Sequence, residues 1–126
     1  MSNQQFFPEW SNFLGSNNDS SARQFLKSVV KRSGEVEDYD RTKIFTAIGK
    51  AIEAVEKYQN PDKAELLTNA VEEKLRIFMA GRHEHSIPAI EEIQDIVESV
   101  LIEQKEVAVA KAYILYRAKH QNIRDT

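Results

Sequence analysis

The chain has 126 residues, enough for one domain with a modest core. A formal charge of -3 and a pI of about 5.6 speak against bulk electrostatic binding to DNA or an anionic membrane, while leaving room for a local basic pocket. It contains no cysteine, which excludes disulfides, cysteine-ligated zinc and any thiol or thiyl chemistry carried by this chain.

No stretch approaches the roughly eighteen apolar residues of a membrane span, and the start lacks a charged-then-apolar signal pattern. The expectation is a soluble, cytoplasmic domain. Residues 1–27 read as an aromatic lead-in (Phe6, Phe7, Trp10, Phe13, Leu14) followed by a flexible linker around Ser16-Asn17-Asn18-Asp19. The aromatic cluster is either an extra turn packed on the domain or an anchor for a partner surface.

Phe25 to Arg32 is a strand candidate, with β-branched Val29 and Val30. Ser33-Gly34 is turn chemistry, since glycine tolerates positive φ, and Val36 to Tyr39 returns as a second strand. A lone hairpin is marginal in water and must lean on helices. Asp40 is a good N-cap for a first helix over about 41–58, whose stripe is Ile44, Ile48, Ala51, Ile52 and Val55. Asn60-Pro61 opens a second helix over about 62–80, with Leu67, Val71, Leu75 and Phe78 inward and Gly81 as its stop. A third helix runs from near Pro88 to Gln104 on Ile90, Ile93, Val97, Val100 and Leu101. A fourth covers about 106–120 and is apolar on several sides, which predicts a central place in the bundle. Residues 121–126 read as a frayed tail or a lead into a following domain. The fold class is therefore α+β, mainly α: a four-helix bundle capped by a short N-terminal β-hairpin or small sheet.

The leading chemical cluster is Lys31, Arg32 and Lys43. Arginine grips phosphate oxygens as a fork, lysine acts as a compact charge, and the unpaired N–H groups of a helix start favour an anion. Together they suggest a polyphosphate cradle; the competing reading is a solvated hairpin edge protected by its charges. Neighbours in a regular strand point to opposite faces, so Lys31 and Arg32 share a ligand only at a bulge or strand end. His83 and His85 around Glu84 raise metal ligation, but no third ligand is evident, and an exposed loop is the better reading. No metal site from protein side chains is expected. Tyr113 and Tyr116 fit core packing better than base stacking. No nucleophile–base pair or glycine-rich phosphate loop is present.

Three stretches together resemble the ATP-cone family: Val29-Val30-Lys31-Arg32-Ser33-Gly34 with Tyr39-Asp40-Arg41; Ile90-Glu91-Glu92-Ile93-Gln94-Asp95-Ile96-Val97-Glu98; and Val109-Ala110-Lys111-Ala112-Tyr113-Ile114-Leu115-Tyr116-Arg117. The resemblance spans about residues 28–119 and places the cone at 28–120. It implies a regulatory domain that binds ATP or dATP, with Mg2+, at the N-terminus of a ribonucleotide reductase, and that controls overall activity through nucleotide-dependent oligomerisation. Its partners would be the nucleotide effector and other reductase subunits or copies of itself, with neither DNA nor membrane. The fragment alone would not be an enzyme.

Position by position, the resemblance implies a nucleotide site of Val29, Lys31, Arg32, Glu37, Asp40, Lys43, Gln94 and Lys119. Lys31, Lys43 and Lys119 would meet the triphosphate, and Glu37 and Asp40 the base or sugar. Ser33 departs from the family's aspartate. Lys105 replaces a common glycine between the last two helices, which predicts a differently built turn. The usual Ser/Thr at the start of the third helix is displaced to Ser86 and Pro88. One nucleotide or two remain open. Two other readings are a nucleotide-sensing transcription repressor, disfavoured by the cysteine-free residues 1–28, and an oligomerisation module that has lost its ligand.

Overall fold

The computed structural model describes residues 26–83 and 85–125, with side chains as far as His120. The aromatic lead-in, most of the linker, Glu84 and Thr126 lie outside the described residues. Among the described residues, two short strands, β1 (Ser28–Val30) and β2 (Val36–Asp38), precede four helices: α1 (Arg41–Glu56), α2 (Pro61–Ala80), α3 (Ile90–Glu103) and α4 (Val107–Asp125). The expected fold class holds.

The strands pair antiparallel with Val29 opposite Glu37 and Val30 opposite Val36. Lys31 N–H donates to the Glu35 carbonyl at 2.7 Å and Gly34 N–H to the Lys31 carbonyl at 2.9 Å, closing the turn. Gly34 sits at φ 95°, a backbone conformation that side chains disfavour. The hairpin is shorter than expected because the ladder stops where this loop begins. It also gains a third edge. Val30 N–H donates to the Pro88 carbonyl at 2.9 Å, and Val30 forms a parallel bridge with Ala89. The segment before α3 is thus committed to the sheet, and α3 starts at Ile90 rather than near Pro88.

Each helix packs on two neighbours: α1 on α2 and α4, α3 on α2 and α4. The core is built from the expected stripes, with Ile48, Ile52, Val71, Leu75, Val97 and Leu101 almost completely enclosed. Removing such side chains from water is the main stabilising term. Two details differ from the periodicity. α1 ends at Glu56, where Lys57 turns left-handed at φ 71°, so Val55 is 37% exposed. α4 buries Val109, Ala110 and Tyr113 but leaves Val107, Ile114 and Leu115 exposed, so it is a wall of the bundle rather than its centre. Among the described residues, no helix is long and apolar enough to cross a membrane.

Local capping follows the residue chemistry. The Asp40 carboxylate accepts from Thr42 N–H at 3.0 Å and from the Thr42 hydroxyl at 2.6 Å. Asn60 Oδ1 accepts from Lys63 N–H at 3.2 Å, with Pro61 at the first helical position. Ala89 offers no side-chain cap, but Glu92 Oε1 reaches back to Ala89 N–H at 2.9 Å. Lys105 adopts φ 64° between α3 and α4. The turn is therefore built as a glycine would build it, with lysine bearing the cost of the left-handed conformation.

Candidate functional site

The hairpin and residues of α1, α3 and α4 line a half-open cavity of about 370 Å3. That lies within the range of small-ligand pockets, roughly 300–1,000 Å3. Its floor is apolar, from Ile44, Ala47, Ile93 and Val97 together with the ring of Tyr113. Its rim is charged and polar, from Arg32, Glu37, Lys43, Arg117 and His120. An apolar slot with cations at its edge can take a flat ring inside and an anion at the mouth.

Of the residues singled out above, Arg32, Glu37, Lys43 and Gln94 line this cavity. Val29 is a core residue at 3% exposure and does not line this cavity. Lys31 and Arg32 lie just beyond the end of β1, in the turn, and diverge there. Arg32 turns toward the cavity, while the Lys31 ammonium lies 3.6 Å from the Glu35 carboxylate across the turn. Asp40 is taken up by its capping bonds to Thr42, and these hydrogen bonds hold its carboxyl below the usual aspartate range. The helix start that looked open to an anion thus carries one of its own. Lys119 is exposed on α4 and does not line the cavity; Arg117 and His120 on the same helix do.

The cations at the rim are paired. Arg32 Nη1 stands 3.3 Å from Glu91 Oε2, and Lys43 Nζ 3.4 Å from Glu37 Oε1. Arg117 Nη1 is held by Asp95 at 3.0 Å and by Glu98 at 2.5 Å. Burial opposes the charge on Arg117, yet its hydrogen bonds to Asp95 and Glu98 outweigh that and raise its pKa. Arg117 shows only 17% of its side chain to solvent. Tyr113 is buried at 4% exposure, and burial pushes its hydroxyl pKa well above the usual range. Tyr116 is half-buried instead, its ring tilted by 38° against that of His120 with centroids 4.1 Å apart, and both rings line the cavity.

Gln94 is the distinctive member. Among the described residues, its Oε1 is buried and has no hydrogen-bond partner. Such a group costs about 1–3 kcal/mol where it stays unsatisfied, and the side chain that carries it lines the cavity. Thr42, Tyr116, Arg117 and His120 were not named from sequence as site residues. Arg117 and Tyr116 do fall in the quoted motif on α4, where the spacing of Tyr116 favours core packing over a ligand contact.

A second group braces the site from behind. Arg41, the first residue of α1, donates from Nε to Glu72 Oε1 at 2.9 Å and from Nη2 to Glu65 at 2.9 Å and Asn69 at 2.6 Å. These contacts fix the helix start that carries Thr42 and Lys43. His83 and His85 sit on an exposed loop, and among the described residues no group of three His, Cys, Asp or Glu side chains is placed to hold a metal ion.

A family model described as the ATP cone domain matches residues 27–122. The chain is 40% identical over 105 residues to the vitamin B12-dependent ribonucleoside-diphosphate reductase of Thermoplasma acidophilum, an alignment covering 79% of this chain and 13% of that protein. It is 35% identical over 102 residues to the ribonucleoside-diphosphate reductase subunit alpha of Chlamydia muridarum, covering 78% and 10% respectively. It is 34% identical over 91 residues to the ribonucleoside-diphosphate reductase subunit alpha of Treponema pallidum, covering 71% and 10%. The chain thus spans roughly a tenth of the length of these curated relatives.

Proposed function

The chain belongs to the ATP-cone family, and from that premise we propose that it is the nucleotide-binding regulatory domain of a ribonucleotide reductase. ATP and dATP are its effectors, and the 370 Å3 cavity is where they bind. The observation that carries this reading is the Gln94 side chain, its buried Oε1 unpartnered among the described residues, lining a largely apolar cavity together with Arg32 and Lys43. Adenine would lie on the floor of Ile44, Ala47, Ile93 and Val97, giving Gln94 a donor from the ring's amino group or from a ribose hydroxyl. The phosphates would lie toward Arg32 and Lys43. Mg2+ would arrive chelated by those phosphates rather than by a protein carboxylate cage.

A nucleotide regulates only by binding one state of the assembly better than another, with a coupling of about 1–3 kcal/mol. In this reading ATP and dATP bias assembly with other reductase subunits or with further copies of the cone. The two effectors differ by one hydroxyl, so discrimination depends on contacts around that ribose carbon. A thermal-shift series tests the reading: dATP and ATP raise the unfolding midpoint in a concentration-dependent way. A midpoint unmoved by either nucleotide at millimolar concentration overturns it. The pairing of Arg32, Lys43 and Arg117 with carboxylates favours a second reading, an assembly module without a ligand. Size-exclusion chromatography with and without dATP separates the two, because the second gives one elution volume in both conditions.

A further inference from the structure

We propose that the outer faces of α2 and α4 are the two halves of one interface, through which α4 of one copy of the chain packs on α2 of the next. The inference does not depend on what the cavity binds. α2 and α4 each pack on α1 and α3, so they stand at opposite corners of the bundle with their outer faces turned apart. Leu66 on α2 and Leu115 on α4 are 70% and 72% exposed, the two highest values among the large hydrophobic side chains described. Ile77 on α2, with Val107 and Ile114 on α4, is exposed as well. Scattered apolar residues on a surface are ordinary, but these share stripes. At about 100° per residue, Leu66, Glu73 and Ile77 fall within about 40° of one another. They lie opposite the buried Ala64, Val71 and Leu75. By the same geometry Val107, Lys111, Leu115 and Ala118 lie opposite the buried Val109 and Tyr113.

Spacing and charge say what covers these faces. Leu66, Ala70, Glu73 and Ile77 step by four, three and four residues, and so do Val107, Lys111, Ile114 and Ala118. Helices with these steps mesh as ridges in grooves. Run antiparallel, the two stripes set Ile77 by Val107 and Glu73 by Lys111. An α4 stripe against another α4 stripe would centre on lysine against lysine, and the outer face of α2 carries Asp62 besides Glu73. Opposite charges meet when α4 of one copy lies on α2 of the next. Glu73 and Arg76 form an exposed pair, which costs little to rearrange. Because the two faces of one chain point apart, they cannot cover each other within it. The contact is heterologous, so a second copy leaves one face of each kind open and association does not stop at two.

Analytical ultracentrifugation of the whole chain tests this from about 10 µM to about 1 mM, without nucleotide and with dATP, because a contact of one helix on one helix is small and weak. Wild type is expected to gain mass with concentration and to pass the dimer. Leu66→Asp and Leu115→Asp, at positions exposed enough to leave the fold intact, are each expected to stay monomeric. An equimolar mixture of the two is expected to form a dimer and nothing larger, since one keeps its α4 face and the other its α2 face. Lys111→Glu is expected to weaken association about fivefold, and adding Glu73→Lys to restore it. A wild type that is monomeric throughout, in both conditions, overturns the proposal; that is the outcome if residues 1–27 or another protein covers these faces. A mixture that stays monomeric also overturns it. So does self-association of either aspartate variant, which reports a two-fold contact through a single face. Failure of the cavity reading shows in the dATP titrations and leaves these outcomes unchanged.

Discussion

The carboxylate of Glu72 holds Tyr39 and Arg41 at once: the Tyr39 hydroxyl donates to Oε2 at 2.7 Å and Arg41 Nε to Oε1 at 2.9 Å. One α2 side chain thereby fixes the two residues flanking Asp40, at the point where β2 becomes α1. Burial, then the hydrogen bond to Glu72, push the Tyr39 hydroxyl pKa far above the usual tyrosine range. Glu72→Ala strands a part-buried hydroxyl and a guanidinium N–H, and it is expected to cost about 2–3 kcal/mol in urea unfolding. Glu73→Ala, which removes an exposed pair with Arg76, is expected to leave the midpoint unchanged.

Asp40 supplies a pH dependence. Its hydrogen bonds to the Thr42 hydroxyl and N–H lower its folded-state pKa below the ordinary aspartate value. The folded state therefore binds this proton less readily than the unfolded chain. The stabilisation is present above about pH 4 and is lost as pH falls through the folded-state value. Asp40→Asn keeps a capping oxygen without the titration. Its stability is expected to approach that of wild type as the solution is acidified, whereas Asp40→Ala is expected to lose about 1 kcal/mol at neutral pH. Urea midpoints between pH 2 and 7 check both.

Much of this architecture is legible in residue order. The spacing of Ile44, Ile48 and Ile52 fixes the inner face of α1, Asp40 and Asn60 mark the helix starts, and Gly34 marks the turn by its own chemistry. The cavity is less legible, for a geometric reason. Lys119 is two residues from Arg117, and along a helix that spacing swings a side chain by about 200°. Lys31 and Arg32 are likewise separated by where β1 ends, which the valine run does not reveal. Nor does any local pattern show that Glu91, Asp95 and Glu98 pair with cations from the hairpin and α4. Those contacts join residues far apart in the chain.

Lys105 carries a left-handed conformation, at φ 64°, that glycine adopts without strain. Lys105→Gly is expected to stabilise the domain by about 0.5–1 kcal/mol, since relief of the conformation outweighs the greater freedom of the unfolded chain. The check is a higher urea midpoint at unchanged m-value.

Gln94 sets stability against binding. Gln94→Leu removes a buried acceptor that has no partner among the described residues, and it is expected to stabilise the unliganded domain by about 1 kcal/mol. The same change is expected to weaken dATP about tenfold, because the ligand's donor then meets a methyl group. Thermal unfolding without ligand, and the dATP dependence of the midpoint, read the two effects separately.

Calorimetric titration of the chain with dATP in the presence of Mg2+, for wild type and Lys43→Ala side by side, tests the assignment of the cavity most directly. The expected result is saturable binding by wild type, weakened about tenfold or more when the lysine at the rim is removed. An absence of saturable heat, or equal affinity in the two proteins, would contradict it.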